Sequence, residues 1–156
     1  MINKGGTTTV LQTYMKQAVK MGQIGYDRGE VPIGAVFVWE EKVLAAAHNL
    51  KESLNDPTAH AEMLVIREAS QKLGNWRLER GKLFVTAEPC LMCTTAILQA
   101  RIPFLVFGVN EWQTGGIESA FKIEKHPDYY PSMQIYGGIL EEECKALMQS
   151  FFKKRR

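Results

Sequence analysis

A layered α/β fold with a partly parallel sheet is the architecture that this sequence predicts, and three observations carry the prediction. The 156 residues suit one hydrophobic core of ordinary size and leave no room for two. Segments of strand character and segments of helical spacing succeed one another in the order α-β-β-α-β-α-β-β-α. Strands that run parallel to their neighbours need crossover helices, so this order implies helices packed on a sheet.

The first helix follows Thr7-Thr8-Thr9, where Leu11, Tyr14, Met15, Ala18, Val19 and Gly22 recur at helical spacing as far as the Gly25 to Gly29 region. Ile33 to Trp39 and Lys42 to Ala47 flank Glu40-Glu41 and read as a hairpin, with β-branched and aromatic residues concentrated in the first strand. Leu50 to Asn55 is loop. Asp56-Pro57 resembles a helix start, the carboxylate capping free amides and the proline taking the first helical position, so a helix is expected from about Thr58 to Leu73. Leu83 to Thr86 is a short strand ending at Glu88-Pro89, and Cys90 to Ala100 is a helix with Pro89 as its first residue. The unbroken apolar run Phe104-Leu105-Val106-Phe107 suits a strand buried on both faces, whereas Gln134-Ile135-Tyr136 is a weaker strand before Gly137-Gly138. Residues 109 to 131 are irregular. A closing helix over about 139–154 carries Leu140, Cys144, Leu147, Met148, Phe151 and Phe152 on one stripe, with Glu141, Glu142 and Glu143 near its N-terminal end, where negative charge is favoured.

Composition bounds the function. At 46% hydrophobic, 23% charged and 10% aromatic residues, the chain is neither disordered nor fibrous. Its longest nearly uninterrupted apolar stretch, Val31 to Trp39, is far short of the roughly 20 residues of a membrane span. A polar start lacks the apolar heart of a secretory signal, and a cytoplasmic protein without membrane partners is expected. The net charge is +2, but with the terminal Lys153-Lys154-Arg155-Arg156 set aside, 15 basic residues face 17 acidic ones. Such a tail either contacts phosphates or is the solvated end of a helix whose carbonyls it complements.

Three cysteines make no disulfide framework, but Cys90 and Cys93 form a C-x-x-C pair, which in a chain of this kind suggests redox chemistry or metal binding. At helical spacing the two sulfurs project only about 60° apart and can reach one ion, and a helix N-terminus favours the thiolate form that binds zinc. His60 can add a third ligand. Zinc prefers four, so one position is left for water, which is the mark of a catalytic rather than a structural site. Glu62 lies about 200° around the helix from His60, so the two can converge only beyond the helix end, with the carboxylate near the water and outside the ligand set. A carboxylate there can take and return the proton of a water whose pKa zinc has lowered to near 7.

His60-Ala61-Glu62 followed by Pro89-Cys90-Leu91-Met92-Cys93 is similar to the signature of the zinc-dependent nucleobase deaminases. The likeness extends further. Asp56-Pro57-Thr58-Ala59-His60-Ala61-Glu62-Met63, Asn75-Trp76-Arg77-Leu78, Gln99-Ala100-Arg101-Ile102-Pro103, Gly137 to Cys144 and the closing Phe151-Phe152-Lys153-Lys154-Arg155-Arg156 resemble the bacterial tRNA-specific adenosine deaminases of the cytidine and deoxycytidylate deaminase superfamily, over about residues 10 to 156. The resemblance implies a single deaminase domain over 1–156, with a three-layer α/β/α fold and a five-stranded mixed sheet. It also implies a homodimer with one zinc per subunit, acting on the wobble adenosine of a tRNA anticodon stem-loop to make inosine. By the same resemblance Glu62 is the catalytic acid and base, His60, Cys90 and Cys93 hold the metal, and Asn49 and the backbone of Ala61 hold the base. An amide can both donate to and accept from adenine, although a strand-end asparagine also simply makes turns.

The chain departs from that pattern at residues 110 to 119, where relatives usually carry smaller residues and a lysine; Thr114, Gly115 and Ser119 are kept, but Trp112, Ile117 and Glu118 are added. Thr94-Thr95 also replaces a smaller pair. A carboxylate near RNA would repel phosphates, while Trp112 either stacks on an unpaired base or covers a dimer contact. Cys144 is expected in the core, and neither His48 nor His126 is assigned to the metal. Two rivals remain open: a deaminase of free guanine- or cytosine-type bases or nucleotides with the same zinc chemistry, and a non-catalytic RNA-binding module with a vestigial site. Retention of Glu62 argues against the second, because metal binding alone does not need it.

Overall fold

Alternation along the strands builds two separate cores, one on each side of a central sheet. The structure, a computed structural model, describes residues 4–127 and 133–155. The elements are α1 (Lys4–Asp27), β1 (Gly34–Trp39), β2 (Lys42–His48), α2 (Ala61–Leu73), β3 (Lys82–Ala87), α3 (Leu91–Gln99), β4 (Phe104–Val109), β5 (Gln134–Tyr136) and α4 (Glu141–Lys154), with a short 3₁₀ turn at Ile123–Lys125. The strands form one sheet in the order β2-β1-β3-β4-β5, with β1 antiparallel to β2 and β3, and with β3, β4 and β5 parallel.

Ala35, Phe37, Leu83, Val85, Leu105 and Phe107 point to the side covered by α2 and α3 through Ala61, Val65, Ala69 and Ile97. Val36, Val38, Phe84 and Val106 point the other way, onto Leu11, Met15 and Ala18 of α1 and Cys144 of α4. Side chains alternate with period two in a strand, so each strand supplies both cores, and a three-layer α/β/α arrangement follows. The start of β1 runs hard against α1: a methyl on Gly34 would collide with the Ala18 carbonyl and come within 2.9 Å of Met21 Cβ, so the contact requires glycine. No helix among the described residues is long and apolar enough to cross a membrane.

Element order and strand positions match the expectation, and the helix starts need correction. α1 begins at Lys4, ahead of the threonine run, whose helix propensity is modest but not prohibitive. α2 begins at Ala61 and not at Thr58. The Asp56 carboxylate accepts from the Thr58 amide at 2.8 Å and its hydroxyl at 2.7 Å, closing a local turn instead of capping a helix. Pro89 is not the first residue of α3, which starts at Leu91 with Cys90 as its N-cap. α4 starts at Glu141 and not at 139, since Gly138 and Leu140 both have left-handed backbone, which a right-handed helix cannot include.

Candidate metal and active site

The ends of β2 and β3 and the starts of α2 and α3 converge on one spot. His60 is the N-cap of α2 and Cys90 the N-cap of α3, and neither side chain caps its own helix. N-cap positions usually go to residues whose side chains satisfy the free amides of the first turn. Here both side chains turn outward toward each other. His60 Nδ1 lies 3.6 Å from Cys90 Sγ and 3.6 Å from Cys93 Sγ, and all three ligand atoms fall within 4.8 Å of one another. For ligands at about 2.3 Å (sulfur) and about 2.0–2.1 Å (nitrogen) from a tetrahedral zinc, the expected nitrogen-to-sulfur separation is about 3.6 Å. The residues therefore fit such an ion without rearrangement.

Electrostatics favour a cation at this spot. Cys90 is pulled down to about 4, chiefly by a hydrogen bond from the Cys93 thiol, with His60 contributing, against the opposing effect of burial. Cys93 is driven upward by the same bond and by burial, and His60 is raised by its contact with Cys90. These groups crowd a proton among them where a metal would bind both sulfurs as thiolates, and the positive ends of two helices support that negative charge.

Glu62 is the second residue of α2 and 3% exposed, and its Oε2 makes no hydrogen bond within the chain. Burial pushes the carboxyl up to about 7, the Cys90 charge adds to this, and its own backbone amide and His60 oppose it. An orphaned buried oxygen requires a partner from outside the chain, such as water or substrate. Glu62, His60, Ala61 and Asn49 share the wall of a cavity of about 100 Å³ with Val31, Ile33 and Lys51. Asn49 makes a turn and also lines the site: its amide oxygen accepts from the Lys51 backbone at 3.1 Å, which fixes the side chain in the cavity wall.

Two buried carboxylates that sequence reasoning passed over support the surroundings. Glu30 is fully buried and accepts from the Ser53 amide (2.6 Å), the Ser53 hydroxyl (2.7 Å) and the Glu52 amide (3.2 Å), bracing the turn that follows Asn49. Glu88 does the same for the 110–119 segment. Their partners are 22 to 31 residues away in sequence, so no local pattern announces them.

The added residues of that segment are accounted for one by one. Ile117 is fully buried in the core beneath α2 and α3. Glu118 accepts from Asn110 Nδ2 at 2.7 Å, which ties one carboxylate oxygen within the segment. Trp112 is 76% exposed. Thr94 and Thr95 direct their hydroxyls to the carbonyls of Pro89 (3.2 Å), Leu91 (3.1 Å) and Met92 (2.9 Å). Cys144 is buried in the α1 and α4 core, His48 bonds the Asn49 carbonyl at 2.8 Å, and His126 is exposed after the 3₁₀ turn, so none of the three joins the cluster. At the tail, Lys154 sits 5.0 Å over the Tyr26 ring and Arg155 donates to the Gly29 carbonyl at 2.6 Å. Lys153 is exposed, Arg156 lies outside the described residues, and none of the described tail residues lines the cavity.

A family model described as MafB19-like deaminase matches residues 11–156. A tRNA-specific adenosine deaminase of Bacillus subtilis (strain 168) is 41% identical over 145 residues, covering 93% of this chain and 90% of that protein. A solved structure from work on A-to-I editing by tRNA:A34 deaminases at the wobble position superposes with a TM-score of 0.83 at 39% identity, covering 86% of this chain and 98% of that one. A guanine deaminase from Bacillus subtilis superposes with a TM-score of 0.60 at 37% identity, covering 63% of each chain.

Proposed function

The chain belongs to the tRNA-specific adenosine deaminases, and from that membership we propose that it hydrolyses the wobble adenosine of a tRNA anticodon to inosine, as a zinc-dependent homodimer in the cytoplasm. The observation that carries the reading is the juxtaposition of a three-ligand cluster with the unpartnered Glu62 oxygen in one small cavity.

In this reading His60, Cys90 and Cys93 would hold one zinc, which would supply a water with its pKa lowered to near 7. Asn49 grips the adenine through its amide, and the Ala61 backbone lies against the base. Glu62 would take one proton from the attacking water and give it to the ring nitrogen, then move the remaining hydroxyl proton to the amino group, so that the C6–N bond breaks, ammonia leaves and a carbonyl forms at C6. Burial raises the Glu62 carboxyl above the ordinary carboxylate range, which favours its giving a proton back as well as taking one. Val31 and Ile33 form the apolar part of the cavity wall.

The test incubates the metal-loaded protein with an anticodon stem-loop bearing the wobble adenosine, and separately with free bases and nucleosides, following the mass change of deamination. Inosine formed only in RNA is the expected result. Deamination of free guanine or cytosine compounds would move the assignment to the free-base enzymes, and binding without product would make the chain a non-catalytic RNA module.

A further inference from the structure

Glu88 directly precedes Pro89-Cys90, and it is buried although it lines no part of the cavity. Its Oε1 accepts from the amides of Ile117 (3.1 Å), Glu118 (2.8 Å) and Ser119 (3.0 Å). Its Oε2 accepts from the Glu111 amide (3.1 Å), Asn110 Nδ2 (3.3 Å) and the Ser119 hydroxyl. A carboxylate with this many donors is an organiser: removing its charge strands several buried N–H groups at once.

The segment so gathered has no helix or strand of its own, and it is fastened to the peptide that delivers Cys90. Gly115 forms an isolated β-bridge with Cys90, and the Gly116 amide donates to the Pro89 carbonyl at 2.8 Å. Glycine is required at both places. A methyl on Gly115 would lie 2.6 Å from the Glu88 carboxylate, and one on Gly116 would lie 2.9 Å from Leu91 Cα. The fastened segment exposes Trp112, Gln113 and Thr114, and Trp112, its one exposed aromatic side chain, lines a groove of about 280 Å³ against α4.

We propose that Glu88 is a positioning residue for RNA, holding residues 110–119 as a preformed platform tied to the metal-ligand peptide so that Trp112 stacks an unpaired anticodon-loop base adjoining the reacting adenosine. The proposal rests on the reading of the substrate given above. Placing one base in a cavity of about 100 Å³ leaves its neighbours unstacked, and an exposed indole recovers stacking with any base. A platform already ordered in the free protein avoids the entropy of ordering it on contact.

The experiment compares wild type, Glu88→Gln, Trp112→Ala and the double variant by hydrogen exchange, zinc content and kinetics on the stem-loop. In Glu88→Gln, the amides of Glu111 and of Ile117 to Ser119 lose protection while bound zinc is unchanged. KM rises about tenfold with kcat held within about threefold, and Trp112→Ala gives the same KM rise with protection intact. The double variant is no worse than either single one, because both act through one platform. A wild-type KM in Trp112→Ala overturns the proposal, as do wild-type protection in Glu88→Gln or a defect there confined to zinc content or kcat. Trp112→Ala alters only a surface side chain, so its KM decides the matter even if Glu88→Gln fails to fold. If the wild type makes no inosine, the substrate reading fails on its own, while the exchange pattern and stem-loop-dependent quenching of Trp112 fluorescence still judge the platform.

Discussion

Single side chains at this site act through what they lack as much as through what they touch. Glu62 lacks a partner for one oxygen, and Glu62→Gln keeps the shape and the metal cluster while removing the proton carrier. The variant is expected to retain one zinc per chain by elemental analysis and to lose about 10²–10⁴ in kcat on the stem-loop. Glu30 is the opposite case, a carboxylate with every reason to stay charged. Burial pulls its pKa upward, but the Ser53 and Glu52 donors together outweigh that, and it lies below the ordinary value of 4.5. A pKa lowered by folding adds stability above the ordinary value and loses it as pH falls through the folded one. Glu30→Gln should therefore cost about 1–3 kcal/mol at neutral pH in urea unfolding, and the two melts should converge as pH falls from about 5 to about 3. That His60, Cys90 and Cys93 gather in one cluster was legible from spacing and chemistry. Glu30 and Glu88 were not, because their role depends on which distant amides the fold brings to them.

Among the elements, α2 and α3 are unusual in giving their N-cap side chains away. His60 and Cys90 stand where a serine or aspartate would normally bond the first-turn amides, and each forgone cap costs about 1 kcal/mol. A metal at the proposed site would offset this by pinning both residues, so chelation is expected to loosen the first turns of α2 and α3 while their C-terminal turns hold. Hydrogen exchange checks it: amides near Glu62 to Leu64 and Met92 to Thr94 should accelerate before those near Gln71 or Leu98. The strands were readable from concentrations of β-branched and aromatic residues and, for β4, from an unbroken apolar run, with the three-residue β5 the weakest signal. Helix starts were less readable. Asp56-Pro57 has the composition of a cap, yet the same aspartate serves a tight turn equally well, and only the position of His60 at the cluster decides between them.

For the whole molecule, a layered α/β fold with a partly parallel sheet was legible from the order of strands and helices, and its three layers from the family resemblance, whereas the place of the C-terminal tail was legible from neither. Lys154 and Arg155 lie against α1 through Tyr26 and Gly29, so the four cations are not equally available to phosphates. Truncation after Phe152 is expected to weaken stem-loop binding and to flatten its salt dependence. The slope of log K against log salt, followed by filter binding, should fall by about 0.7 for each phosphate that the tail no longer neutralises, with about one or two such phosphates involved. The sheet order has one more consequence. His60 follows the outermost strand β2, whereas both cysteines follow β3, which lies on the far side of β1. As the polypeptide leaves the ribosome, a first ligand emerges long before the other two, and they become neighbours only after β3 has docked beside β1. A metal held by these three side chains would find its complete ligand set only once β3 stands beside β1, so its capture would follow the assembly of the sheet and not seed it.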